Sequence, residues 1–257
     1  MGRGRVDPAG PLEPVSDEPW GEVARVPLRG GGWAWFKACE PARAFEVPLT
    51  TALAGRWPDR LPGVLAGDEE RGWLLLADAG ERVGLDADIA LWLEALPRYA
   101  ELQRGETAHV DEHLAKGVPD RRLARFPELY ERLLAAEPRI ERRPELAPLW
   151  EELAAAGIPA TIQHDDLHGH NVYAERGLRF LDWGDACISH PFLTFFVTVA
   201  HLGNPPEERL RDAYLEPWGG AELRETFAVA RRLGPYAHAF KELETLGVVP
   251  DWVLPLL

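Results

Sequence analysis

The densest chemistry in the chain lies between Gln163 and Asp185, which reads QHDDLHGHNVYAERGLRFLDWGD. Asp166 stands two positions after His164, and Asn171 five positions after Asp166. Asp182, Trp183 and Gly184 follow, with Asp182 eleven residues beyond Asn171. A carboxylate at the start of such a loop can orient a hydroxyl and take its proton. Mg2+ needs hard oxygen ligands, and an amide oxygen one bend later plus a carboxylate at the next strand end supply two. The same stretch allows a second chemistry. His164, Asp165, Asp166, His168 and His170 form a dense set of ligand types, and Asp182 with Asp185 would complete a two-metal phosphohydrolase site. That site would hold its metal tightly and need no nucleotide.

The elements that must position these residues divide in two. Residues 1–21, rich in Pro, Gly and acid, read as an irregular start. Glu22 to Leu28 and Trp33 to Ala38 read as strands, and Arg29 to Gly32 as the Gly-rich turn of a hairpin. Lys37 ends the second strand, and only three of the 28 basic residues are lysine, Lys37, Lys116 and Lys241. A lysine there can grip phosphates as a point charge. Its acidic partner is expected about ten residues on, Glu46 first and Glu40 second. Pro41 opens a helix to about Leu53, with Pro48 expected to kink or end it. Gly72 to Ala77 reads as a buried strand.

Beyond residue 80 the period changes. Ala87 to Arg104, Arg121 to Ala136 and Leu146 to Ala156 read as helices. Thr161 to Val172 reads as a loop, Leu178 to Leu181 as a short strand, and the chain from Pro191 as mainly helical. The expected fold is α+β and bilobal, with a small β-rich N-terminal lobe (1–79) and a larger, mainly α-helical C-terminal lobe (80–257).

Composition narrows the partners. The net charge of −14 argues against nucleic acid, whose phosphates demand clustered Lys and Arg. Two cysteines, Cys39 and Cys187, make no disulfide framework. The longest apolar stretch, Phe192 to Ala200, is far short of a membrane span, and no leader pattern is visible. A soluble, cytoplasmic protein is expected, monomer or homodimer.

These residues resemble a known family. Protein kinases carry a His-x-Asp-Leu loop with an asparagine five positions after the aspartate, followed by Asp-aromatic-Gly. Closer still is the aminoglycoside phosphotransferase/choline kinase group, which reads His-Gly-Asp-Leu-His-x-x-Asn and then Ile-Asp-aromatic-x-Asp. This chain has His164-Asp165-Asp166-Leu167-His168-Gly169-His170-Asn171 and Leu181-Asp182-Trp183-Gly184-Asp185. The second histidine, His168, separates the group from ordinary protein kinases. The resemblance is specific over about residues 163–191 and extends to 22–80.

It implies a protein-kinase-like fold and transfer of the γ-phosphoryl of ATP, with Mg2+, to a hydroxyl of a small acceptor: an aminoglycoside, a sugar or an amino alcohol. Asp166 would be the catalytic base. Asn171 and Asp182 would hold Mg2+. Lys37 would contact the nucleotide phosphates and Glu46 would hold Lys37. Backbone groups near Leu76 to Asp78 would bind adenine. His164 would fix the loop, and Asp185 would support the metal ligands or the loop. Trp218, Tyr236, His238, Glu242 and Glu244 are candidates for the acceptor site.

The chain departs from the family pattern in places. It has no Gly-x-Gly-x-x-Gly, so Ser16 to Gly21 stands as a shortened nucleotide loop and Gly30 to Gly32 as a plain turn. The usual Gly-Asp-Pro is Ser189-His190-Pro191, and the aspartate that commonly follows is Thr194. The poor nucleotide loop motivates one more alternative, a catalytically dead kinase-like binding module. Retention of Lys37, Asp166, Asn171 and Asp182 together counts against it.

Overall fold

A computed structural model describes residues 6–18, 21–203 and 205–257. The chain forms two compact units. The first comprises Met1–Gly84, Lys116–Val118 and Gly169–Asp185; the second comprises Leu85–Ala115, Pro119–His168 and Ala186–Leu257.

The first unit is built on a five-stranded antiparallel sheet in the order β1-β2-β3-β5-β4. Its strands are β1 (Glu13–Glu18), β2 (Gly21–Pro27), β3 (Trp33–Cys39), β4 (Val64–Asp68) and β5 (Trp73–Ala77). The hairpin between β2 and β3 turns through Gly31 and Gly32, whose φ of 87° and 77° suit a residue without Cβ. Helix α1 (Glu46–Arg56) docks Val47 against Cys39 and Leu74, with Val64 and Leu76 packed around them.

Four points differ from expectation here. Part of the supposedly irregular start is strand β1, paired with β2. Its side chains are half-buried or exposed, so it carries none of the apolar alternation by which a strand is read. Of the suggested nucleotide loop, Ser16–Glu18 belong to β1 and Gly21 to β2, while residues 19–20 lie outside the described residues. Strand β4 was not foreseen, since only three of its five residues are even half-buried. Pro48 neither kinks nor ends α1. It is the third residue of the helix, where a backbone N–H would lack an intrahelical partner anyway, and the helix runs on to Arg56.

The same unit holds a small hairpin, β7 (Val172–Tyr173) with β8 (Arg179–Phe180). It is tied to neighbouring loops by Val83 N–H to Val172 O at 2.8 Å and Phe180 N–H to Arg60 O at 2.8 Å.

The second unit is mostly helical: α2 (Ile89–Glu106), α3 (Val110–Ala115), α4 (Phe126–Ala136), α5 (Leu146–Ala155), α6 (Phe195–Ala200), α7 (Glu207–Leu215) and α8 (Arg224–Leu246). Asp88 caps α2 by accepting from Ala90 N–H at 2.9 Å. Two three-residue strands, β6 (Thr161–Gln163) and β9 (Cys187–Ser189), pair antiparallel inside the unit. Both lie fully buried, so they lack the alternation that marks a strand in sequence.

Buried polar groups need hydrogen-bond partners, and a network around Gln103 supplies several of them. Gln103 Nε2 donates to Ile162 O and Gln163 Oε1, both at 3.1 Å. Tyr214 Oη lies 2.7 Å from Pro191 O and 2.5 Å from Gln103 Oε1, two acceptors that share its single proton. Strand β6 is therefore pinned to α2 just before the His/Asp loop begins.

Gly234 shows how tightly α8 packs. A Cβ there would lie 2.7 Å from Phe196 Cβ. Ala normally gains about 1 kcal/mol over Gly in a helix interior. Here Phe196 Cβ moves only with its backbone, and overpacking costs roughly 1–3 kcal/mol. Gly234→Ala is expected to lower the urea midpoint; a raised midpoint would show that α6 yields.

Candidate active site

In the first unit, three elements deliver charged side chains to one point. Lys37 lies on β3 between Val23 of β2 and Leu74 of β5, so the middle of the sheet fixes its backbone. Glu46 is the first residue of α1. Asp182 follows β8 in the left-handed region, φ 64°. Lys37 Nζ lies 2.7 Å from Glu46 Oε2 and 2.7 Å from Asp182 Oδ1. The Glu46 side chain is 3% exposed, whereas that of Asp182 is 49% exposed, so the cluster has a closed end and an open end.

Burial alone would lower the Lys37 pKa, but the charges of Asp182 and Glu46 outweigh it and hold the ammonium protonated. Cys39 Sγ also contacts Glu46 Oε2, at 3.4 Å, and burial pushes its thiol pKa up. Cys39 is thus a neutral lining group, free of any disulfide.

Gly184 has a reason in this packing. A Cβ there would sit 2.9 Å from Glu46 Oε2 and 3.6 Å from Asp182 Oδ1. Between them, Trp183 is fully buried and donates its indole N–H to Phe180 O at 3.1 Å. Arg43 holds Asp185 Oδ1 at 2.8 Å through Nη2 and 3.2 Å through Nε. Asn171 is buried, and its backbone carbonyl accepts from Leu181 N–H at 2.9 Å. Asn171 and Asp182 therefore flank the same end of the β7–β8 hairpin.

An amide oxygen and a half-exposed carboxylate are hard donors that fit Mg2+, which takes one or two carboxylates and completes its shell with water and phosphate. The alternative two-metal hydrolase is not favoured. Among the described residues no group of three or more His, Cys, Asp or Glu is placed to hold a metal ion. The sequence density of the His/Asp loop fails for a physical reason: His164 is fully buried, and the Asp165 carboxylate meets a guanidinium.

Leu76 lies in β5 opposite Trp35. Asp78, just past β5, accepts at Oδ1 from Trp35 Nε1 at 3.0 Å and from Gly80 N–H at 3.2 Å, and pairs through Oδ2 with Arg176 at 3.0 Å.

Within the second unit, His164 donates its backbone N–H to Tyr99 Oη at 2.8 Å. Leu167 is buried, and its carbonyl accepts from Thr198 Oγ1 at 2.8 Å. Asp166 lies between these anchors, 29% exposed, with His168 Nε2 at 3.2 Å from its Oδ2. The imidazole of His168 packs against that of His201, tilted by 33° with centroids 4.6 Å apart.

The five acceptor candidates separate. Trp218 packs edge-on against Phe192, Tyr236 donates its hydroxyl to Leu257 O at 2.7 Å, and Glu244 pairs with Arg121 at 2.8 Å. His238 and Glu242 form a buried cluster with Lys241, whose Nζ is 2.9 Å from Glu242 Oε1. Sequence reasoning missed Arg43 and Arg121. Each is one arginine among many, and no local pattern marks it.

His190 occupies the aspartate position of the resembled pattern. It is nearly fully buried, and its Nδ1 accepts from Phe192 N–H at 3.3 Å, capping the turn Pro191–Leu193 as a carboxylate would. Burial pulls its pKa from the usual 6.5 down to about 3. The unfolded chain therefore binds a proton that the fold refuses, and His190 costs stability as pH falls from 6.5 towards 3. Urea unfolding is expected to show a shallower acid loss in His190→Asn, which keeps an acceptor without titrating. Equal slopes in both proteins would contradict a buried neutral imidazole.

Comparison with known proteins gives a consistent picture. The family model described as "Phosphotransferase enzyme family" matches residues 33–233. Among curated proteins, the N-acetylmuramate/N-acetylglucosamine kinase of Pseudomonas aeruginosa is 27% identical over 230 residues, covering 81% of this chain and 66% of that protein. The chain thus spans about two thirds of the length of that relative. Macrolide 2'-phosphotransferase MphH from Brachybacterium faecium superposes with a TM-score of 0.64 at 17% identity, covering 99% of this chain and 94% of that one. Choline kinase LicA from Streptococcus pneumoniae gives 0.63 at 15% identity, with 96% and 90% covered. These structures show that the fold is protein-kinase-like, an antiparallel N-terminal sheet followed by a mostly helical C-terminal part.

Proposed function

Because the chain belongs to the phosphotransferase enzyme family, we propose that it is a small-molecule kinase moving the γ-phosphoryl of ATP to a hydroxyl of a small acceptor. The observation that carries this reading is Lys37 held at 2.7 Å by both Glu46 and Asp182. A cation locked on a strand beside a half-exposed carboxylate suits a metal-bound polyphosphate.

In this reading Lys37 binds phosphate oxygens, and Glu46 keeps its ammonium aimed. Asn171 and Asp182 would hold Mg2+, which supplies charge neutralisation at the phosphates when bound. Asp166 orients the acceptor hydroxyl and takes its proton, so that the oxygen attacks in line. Backbone groups near Leu76 to Asp78 receive the adenine. Residues 1–79 then act as the nucleotide lobe and 80–257 as the catalytic and acceptor lobe, in a cytoplasmic protein that is a monomer or homodimer.

For the acceptor, aminoglycosides, sugars and amino alcohols fall within the reading. The sugars come first, because the curated relative is named for N-acetylmuramate and N-acetylglucosamine. A panel of these acceptors with γ-labelled ATP and Mg2+ tests the proposal. Asp166→Ala and Asp182→Ala are each expected to cost at least ~100-fold in turnover. Near-normal transfer by both variants would overturn the assignment.

A further inference from the structure

The resembled pattern has glycine immediately before the catalytic aspartate, and this chain has Asp165. Asp165 adopts φ 60°, the left-handed region where glycine is at ease and aspartate only tolerated. Its side chain is also buried, 9% exposed. An aspartate that accepts both costs calls for a reason, and the reason is Arg121.

Arg121 Nη1 donates to Asp165 Oδ2 at 2.7 Å, while its Nε donates to Glu244 Oε2 of α8 at 2.8 Å. The guanidinium is itself 6% exposed. Burial alone would lower its pKa, but the neighbouring acids outweigh that and keep it charged. Its backbone is held as firmly as its side chain. Ile188 N–H donates to Pro119 O and Arg121 N–H to Ile188 O, both at 2.8 Å, so residues 119–121 run along β9. Ser189 Oγ donates to Arg121 O at 2.6 Å. β9 in turn pairs with β6, which leads straight into His164 and Asp165. One rigid fork thus joins the residue before Asp166 to the longest helix of the unit.

We infer that Arg121 and Asp165 are positioning residues, an ion-pair clamp that fixes the backbone from which Asp166 presents its carboxylate. The inference rests on the reading of Asp166 as the base. A buried ion pair is weak as a source of net stability, because desolvating two charges offsets their attraction. Its directional geometry is what a loop gains from it: with Nη1 and Nε both engaged, the peptide between Asp165 and Asp166 has little room to rotate. Lysine at position 121 would keep the charge and lose the fork.

The test uses the full chain with Asp165→Asn, Arg121→Lys and the double variant. Asparagine tolerates the left-handed backbone and removes the charge; Arg121→Lys keeps the charge and carries the same reading if Asp165→Asn fails to fold. Hydrogen exchange of peptides covering 161–170 is compared with peptides of β2 and β3. Turnover per folded molecule is read with Mg2+, ATP and N-acetylglucosamine, and with acceptor-independent ATP hydrolysis beside it.

Each single variant is expected to speed exchange in 161–170 alone and to lower kcat at least about tenfold while the KM for ATP stays within about twofold. The double variant should be no worse than the weaker single, since both cut one clamp. Unchanged exchange in 161–170, exchange raised equally everywhere, or losses that simply add would each overturn the clamp. Asp166→Ala runs alongside: if it retains turnover, the kinase reading of Asp166 fails, whereas the exchange result still judges the clamp.

Discussion

One ammonium group shared between two carboxylates is the constraint around which the first unit is organised. Lys37 Nζ reaches Glu46 and Asp182 at 2.7 Å each, and one carboxylate is buried while the other is half exposed. Removing Lys37 would leave two carboxylates facing each other, one of them buried and unpaired, which is far more costly than never having buried it. Each element accordingly brings something to this point. The sheet fixes Lys37 through pairing on both sides, α1 presents Glu46 at its first residue, and the β7–β8 hairpin sets Asp182 beside Asn171.

Adjacent aspartates in the second unit show how burial assigns roles that composition leaves open. Asp165 and Asp166 are chemically identical and one residue apart. Asp165 turns inward onto Arg121, and Asp166 stays part-exposed beside His168. The histidines divide the same way. His164 and His190 are buried parts of the scaffold, whereas His168 touches the part-exposed Asp166. A motif count weights all five ligand-type residues of the loop alike; accessibility does not.

The candidate residues Asp166, Asn171 and Asp182 were legible in the sequence because they lie within one short stretch of chain. Lys37 was readable from its strand and the rarity of lysine, and Glu46 from the helix that follows. Hairpin β2–β3 announced itself through its glycines. Strand β1 and strand β4 did not, since their faces stay partly open and lack alternation. Pro48 misled because the helix begins at Glu46 rather than Pro41, which moves the proline into the first turn. Arg121 was illegible for a different reason. Its partners lie 44 and 123 residues away, and no local pattern encodes a contact at that range.

The most direct test of the central claim is calorimetric binding of ATP to the wild type and to Lys37→Met, with and without Mg2+. If the Lys37–Glu46–Asp182 cluster is built for a metal-bound polyphosphate, binding requires Mg2+ and weakens at least about tenfold in the variant, the worth of a hydrogen bond to a charged group. Binding that ignores both Mg2+ and Lys37 would contradict the account.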